Sequence, residues 1–109
     1  MIYNDIKSKL KEYMKSRDLE RLGVLRFLLS EIQKKEIELR GTSEELTDEI
    51  VFKVLRKQIK NRIQSIELYE NAGRNDLVEK EQMELGILKE YAEMFPFELN
   101  LNPGKRPQK

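Results

Sequence analysis

Cysteine, histidine and tryptophan are all missing from this 109-residue chain. No disulfide can form, and zinc sites built on thiolate or imidazole are excluded, as is every nucleophile–histidine pair. The side chain whose ordinary pKa lies nearest neutrality is gone with histidine. Proline and glycine are scarce, at three and five residues, so helices can run long with few breaks. No apolar run approaches the roughly 20 residues of a membrane-spanning helix, and the N-terminal MIYNDIKSKLKEYMK has no apolar core of signal-peptide length. On that ground the expected location is the cytoplasm. Charge of one sign is also lacking: 21 Lys plus Arg stand against 20 Asp plus Glu. With no strong overall field toward nucleic acid or acidic membranes, any basic site has to be a local patch. Glycine-rich phosphate loops, metal motifs and carboxylates paired for acid–base work are absent, so no catalytic residue, cofactor or metal is expected.

What is present is charge on helical spacing. A composition of 39% hydrophobic and 38% charged residues suits amphipathic helices in a thin bundle with broad wet faces. The length allows one modest core. A first helix is expected over about residues 4–15, capped by Asn4, with Ile6, Leu10 and Met14 at four-residue spacing and Ile2 as a partner. Asp18 caps a second, central helix with the stripe Leu22, Leu25, Leu28, Leu29, Ile32 and Leu39. Gly23 inside it costs roughly 1 kcal/mol relative to Ala, which leaves close approach of another helix and simple tolerance both open. After Gly41-Thr42-Ser43, Thr47 caps a third helix, Leu46 packs on Val51, and Asp48 and Glu49 suit the positive end of the helix dipole. Gly73 ends that helix in the left-handed conformation, Asn75 or Asp76 caps the fourth, and Pro96 sets its end. The expected fold is therefore all-α: a small four-helix bundle with a long antiparallel hairpin, about 47–72 and 76–95. Residues 1–95 form the domain, and 96–109 read as a short ordered stub followed by a mobile tail.

The hairpin carries charges on its apolar faces. Val51, Leu55, Ile59, Ile66 and Tyr69 share one face of the third helix, with Arg62 in its middle. Leu77, Leu85, Leu88, Tyr91 and Phe95 make the answering stripe, with Glu81 and Glu84 inside it. With Gly73 as pivot, Arg62 and Glu84 are equidistant from the turn, which predicts a sequestered Arg62–Glu84 pair with Glu81 as the other candidate. Such a pair speaks for helix register more than for stability, and an arginine neighbour lowers a carboxylate's pKa, making a poor general acid.

Opposite the apolar face, Lys53, Arg56, Lys57, Lys60 and Gln64 lie within about one third of the circumference. This ridge is either a track for a phosphate backbone or a solvated face. No aromatic residues interleave it for base stacking; Tyr69 and Tyr91 fall on packing faces. Arg17, Arg21 and Arg26 with Asp18 and Glu20 surround the start of the second helix, where internal pairing is expected. Arg74, between Gly73 and Asn75, is exposed at the hairpin tip for helix C-capping or partner contact.

Three blocks carry a family resemblance: MKSRDLERLGVLRFL at 14–28, EIQKKEIEL at 31–39 and KNRIQSIELYENAGRNDLVEKEQMELGILKEY at 60–91. Within the last, Arg62 and Ser65, Ala72 to Arg74, Asp76-Leu77 and the E-x-x-E-L ending at Leu85 sit at the family's spacing. The chain resembles the YqeY-like family, the GatB/YqeY group related to the C-terminal region of the B subunit of glutamine-dependent aminoacyl-tRNA amidotransferases. The resemblance implies an all-helical N-terminal domain, normally followed by a second helical module that contacts tRNA in the amidotransferase relatives. Here YAEMFPFELN stands where members usually read Y-L-P and continue into that module. The resemblance thus implies a non-catalytic accessory module with tRNA or a tRNA-handling protein as partner, and the ridge and tip read from helical spacing, Lys53, Arg56, Lys57, Lys60 and Arg74, are its candidate contact surface. The alternatives are a protein–protein adaptor or homodimer, favoured if Met94, Phe95 and Phe97 are left exposed, and a part in a carbon–nitrogen ligase complex with glutamine as amido-N donor.

Overall fold

Four helices, α1 (Ile2–Ser16), α2 (Leu19–Leu39), α3 (Asp48–Asn71) and α4 (Asn75–Ala92), make up most of the computed structural model, which describes residues 1–101. No strand occurs among the described residues, and the fold is all-α. Each helix end shows why it falls where it does. The N-cap of α1 is Met1, which offers no side-chain hydrogen bond. The amides of Ile2 and Tyr3 instead donate to the Asp48 carboxylate, at 3.1 and 3.4 Å. Asn4, expected as the cap, lies exposed inside the helix. A carboxylate from the first turn of α3 thereby satisfies orphan donors of α1 and sits at the positive end of its dipole. A local motif search misses it because donor and acceptor are far apart in sequence.

The α1–α2 corner turns on Arg17, whose φ of 60° is left-handed and costs a non-glycine residue roughly 1–2 kcal/mol. Asp18 offsets this by working twice: its amide donates to the Tyr13 carbonyl at 3.1 Å, and its carboxylate accepts from the Arg21 amide at 3.2 Å. At the start of α3, Thr47 accepts from the Ile50 amide at 3.2 Å. The α3–α4 turn uses Gly73 at φ 72°, with Gly73 N–H donating to the Glu70 carbonyl at 3.1 Å and Arg74 N–H to the Tyr69 carbonyl at 2.9 Å. This paired closure satisfies the last carbonyls of α3. It also consumes the residues a side-chain cap would need, so α4 starts from Arg74 with no such cap, and neither Asn75 nor Asp76 takes that place. At its other end α4 stops at Ala92, short of 95. The amides of Met94 and Phe95 tighten onto the carbonyls of Tyr91 and Ala92 at 3.0 and 3.2 Å, which turns Phe95 inward.

Ile6, Leu25, Leu28, Ile32, Leu55, Ile59 and Leu88 are fully enclosed, each side chain contributing roughly 1.5–3 kcal/mol of apolar burial. Val24 and Phe52 join them, unforeseen from the stripes. In α1 the buried residues are Tyr3, Ile6 and Tyr13. Met14, expected on that face, is exposed, because its neighbour Tyr13 takes the inward direction. Gly23 has open space where a Cβ would stand, so no close helix approach requires it. Ile66 and Val78 are buried too, yet outside the main cluster. The far part of the hairpin therefore packs on itself, and the radius of gyration is 15.3 Å, above the ~13 Å expected for a compact domain of this length.

Past Pro96 the chain stays on the body. Phe52, Phe95 and Phe97 form a tilted cluster, with centroids 5.4 Å from Phe52 to each of the other two. Leu99 and Leu101 pack against the core, and Arg56 Nε donates to the Asn100 carbonyl at 2.7 Å. The expectation that Phe95 and Phe97 would be left exposed is corrected: Phe95 is buried and Phe97 half-buried, because these rings pack on Phe52. The mobile tail expected further on falls on 102–109, outside the described residues.

The shared Asp48 cap makes a direct prediction for urea denaturation. Asp48→Ala should cost about 1–2 kcal/mol, as for loss of a helix cap, whereas Asn4→Ala should leave the midpoint unchanged; equal effects would contradict the trans cap.

Candidate functional site

Three groups of polar side chains need an account: the cluster in the hairpin seam, the corner where α2 meets the end of α4, and the basic ridge on α3. In the first, Arg62 Nη1 lies 3.1 Å from Glu81 Oε1 and 2.5 Å from Glu84 Oε1. Both glutamates reach the arginine because they lie three apart on α4, on one side of it. The three side chains keep only 15–17% exposure. Phe27 of α2 closes the arrangement, its ring centroid 5.6 Å from the Arg62 guanidinium, within cation–π range. Helical periodicity misses Phe27, since its other face is exposed and the residue falls off the apolar stripe of α2.

Gln58, the one buried polar residue among those described, lies one turn before Arg62, and its Nε2 is 3.5 Å from Glu31 on α2. Asn61, Ser65 and Lys80 complete a shallow depression with Gly23 and Phe27. Two carboxylates clasp one guanidinium there. That arrangement can fix register, and nothing in it activates a nucleophile or holds a proton for transfer.

At the second site Arg21 pairs with Asp18 on its own helix, at 3.3 Å, and with Glu90 of α4 through two contacts, one of them Nη2 to Oε2 at 3.1 Å. The Arg21 guanidinium holds the Glu90 carboxyl below the usual glutamate range. Arg26 and Glu20 are exposed and take no part. Beneath this pair the Tyr91 hydroxyl is buried beside the Tyr13 phenol, the two not meeting strict hydrogen-bond geometry. Burial above all, and then the neighbouring Tyr13 phenol, push its pKa far above the ordinary tyrosine value.

On the ridge, Lys53 and Lys57 are exposed and Lys60 half-buried; none makes an ion pair among the described residues. Arg56 differs, since it is tied to the Asn100 carbonyl. Across a groove from Lys53 and Lys57 stand Lys34 and Lys35 of α2, each paired with an acid of its own helix, Glu31 at 2.9 Å and Glu38 at 3.6 Å. Arg74 does not join the ridge. It sits at the hairpin tip, paired through two nitrogens with Asp76 at 3.1 and 3.2 Å, and that hydrogen-bonded guanidinium lowers the pKa of Asp76. Tyr91 is enclosed and offers no face for base stacking, whereas Tyr69 is half-buried. Among the described residues, no group of three or more acidic side chains could hold a metal ion, and no helix is long and apolar enough to cross a membrane.

Comparison with known proteins adds the lineage. The family described as "Yqey-like protein" matches residues 3–100. A Pyrenophora tritici-repentis protein named "Altered inheritance of mitochondria protein 41, mitochondrial" is 36% identical over 92 residues, which cover 84% of this chain and 49% of that protein. The Saccharomyces cerevisiae protein of the same name is 36% identical over 98 residues, covering 89% of this chain and 51% of its own length. An uncharacterised Schizosaccharomyces pombe protein is 38% identical over 86 residues, 79% of this chain and 68% of that protein. The chain thus spans about half the length of the mitochondrial relatives it matches. The cytoplasmic location expected from the sequence is overturned, because these relatives are named as mitochondrial proteins. The absences behind that expectation, of a signal peptide and a membrane span, do not discriminate between compartments.

The seam cluster sets up a mutation series. Arg62→Met strands two carboxylates beside each other and should cost about 2 kcal/mol, below the roughly 3–5 kcal/mol of a fully buried pair because some water reaches the site. The triple variant Arg62→Leu, Glu81→Gln, Glu84→Leu should recover most of that loss in urea denaturation. A single substitution costing nothing would show that the cluster does not constrain the hairpin.

Proposed function

The chain belongs to the YqeY-like family, and from that footing we propose that it is a non-catalytic accessory module whose α3 ridge binds the phosphate backbone of structured RNA, with tRNA the first candidate. The observation that supports this reading is the state of Lys53, Lys57 and Lys60, three cations on one helix face with no acid partner among the described residues. Their α-carbons are spaced along roughly 10 Å of helix, a match to successive backbone phosphates. With no stacking platform on the ridge, recognition rests on charge and shape and is insensitive to base sequence. A link to tRNA-dependent amidotransferase, or to a carbon–nitrogen ligase using glutamine, enters through the family's relationship alone. In such a complex the bond-making residues belong to other subunits.

A second reading, an adaptor for a protein partner or a homodimer, is favoured by the outer face of α2. Leu19 and Ile37 are exposed there at 73 and 59%, apolar side chains that a partner surface would take out of water. Sedimentation at micromolar concentration separates the two: a dimer abolished by Ile37→Lys supports the adaptor.

For the RNA reading, fluorescence anisotropy with tRNA at two salt concentrations should show binding that weakens with salt. The triple variant Lys53→Glu, Lys57→Glu, Lys60→Glu should abolish it at the higher salt. Absence of micromolar binding by the unaltered protein even at low salt removes the proposal.

A further inference from the structure

Arg56 is the cation of the α3 ridge that the rest of the fold takes hold of, and it is held by one nitrogen. Its Nε donates to the Asn100 carbonyl at 2.7 Å, while Nη1 and Nη2 take no partner among the described residues. Asn100 is itself anchored. The Phe97 ring, three residues earlier, lies 5.4 Å from that of Phe52, one turn before Arg56 on α3, and Leu99 and Leu101 pack against the core on either side of Asn100. Residues 96–101 thus form a strap along α3 from Phe52 to Arg56. Lys53 and Lys60 stand three residues before Arg56 and four after it, the separations at which helix side chains are neighbours and like charges repel. None of these cations has an acid partner among the described residues. A guanidinium on a free side chain would turn away from both lysines, and the Asn100 carbonyl removes that freedom.

We propose that Arg56 is the phosphate fork of the ridge, its two terminal nitrogens taking one backbone phosphate, and that the strap 96–101 positions it for that contact. The inference rests on the RNA reading above and adds a division of labour within the same surface. The lysines act as point charges on flexible stems, whereas a guanidinium meets phosphate through two parallel N–H donors in a fixed plane. Fixing Nε on a carbonyl sets that plane before the ligand arrives, so less side-chain freedom is lost on binding. The strap therefore contributes to affinity without touching RNA.

The test is tRNA binding by the full chain, read by fluorescence anisotropy across a salt series. Phe97→Ala loosens the strap and leaves every charge of the ridge in place. It should lower affinity by roughly two- to twelve-fold, the range for immobilising one rotamer-rich side chain, with the slope of log K against log salt unchanged. The amides of 97–101 should lose hydrogen-exchange protection at the same time. Arg56→Ala should reduce the slope by about 0.9, as for one lost phosphate contact. Arg56→Lys keeps the charge but not the fork, and should bind several-fold more weakly; adding Phe97→Ala to it should weaken binding no further.

Unchanged affinity for Phe97→Ala or for Arg56→Lys, or an unchanged salt slope for Arg56→Ala, overturns the inference while the lysine ridge stands. So does a combined variant whose loss equals the product of the separate effects, since the ring would then act elsewhere than through Arg56. Should Phe97→Ala fail to fold by circular dichroism, the two Arg56 variants decide alone. A protein that binds no tRNA at low salt removes both readings together.

Discussion

One guanidinium held by two carboxylates governs how the hairpin is assembled. Up to Ile59 and Leu88, α3 and α4 are aligned by apolar packing against α1 and α2. Apolar side chains are permissive about register, and beyond that level little else of the bundle covers the seam. Arg62 sits at this boundary, bound to Glu81 and Glu84, with only Ile66 and Val78 buried further out. A slip of α4 by one turn would leave the guanidinium half desolvated and without its acids, a penalty larger than any apolar mismatch at the same place. The cluster thus acts as a pin where the hydrophobic core runs out.

The same reasoning explains which parts of the structure are legible in the sequence. The hairpin is, because Gly73 and the equal spacing of Arg62 and Glu84 about it are local facts with one geometric solution. The caps at Asp18 and Thr47 are also local. Asn4 misleads because the actual acceptor for α1, Asp48, belongs to a helix far along the chain, and no window of sequence contains both. Asn75 and Asp76 fail as caps for a different reason: the turn around Gly73 already commits Arg74, leaving no spare residue. Met94, Phe95 and Phe97 look like an exposed apolar surface in the sequence, yet Phe52 lies across from the two rings, and pairing with it is invisible to periodicity. On the candidate surface, which lysines lack acids can be settled only by knowing which helices stand beside them, and the tie between Arg56 and Asn100 is a tertiary event.

Two properties set the chemistry available to this member of the YqeY-like family. Without cysteine or histidine, its reactive inventory is limited to carboxylates, amines, phenols and hydroxyls, and the two carboxylates clasped in the hairpin seam share one arginine. Lys34 and Lys35 pair with acids on their own helix, while Lys53, Lys57 and Lys60 make no ion pair among the described residues. Contact with a polyanion and contact with a protein both fit a module of this kind, and they call on different helices, α3 for the first and the outer side of α2 for the second.

The outer third of the hairpin has a mechanical implication. Between Ile66 and Val78, which are buried outside the main core, the hairpin turns around a left-handed glycine and an exposed Arg74–Asp76 clasp. Opening of that end breaks few apolar contacts and leaves the bundle intact below the Arg62 pin. It is a region of low local stability grafted onto a stiff stem. Such a tip can adjust its two helix ends to the contour of whatever it meets without loosening the core, much as a hinged finger bends beyond a locked knuckle.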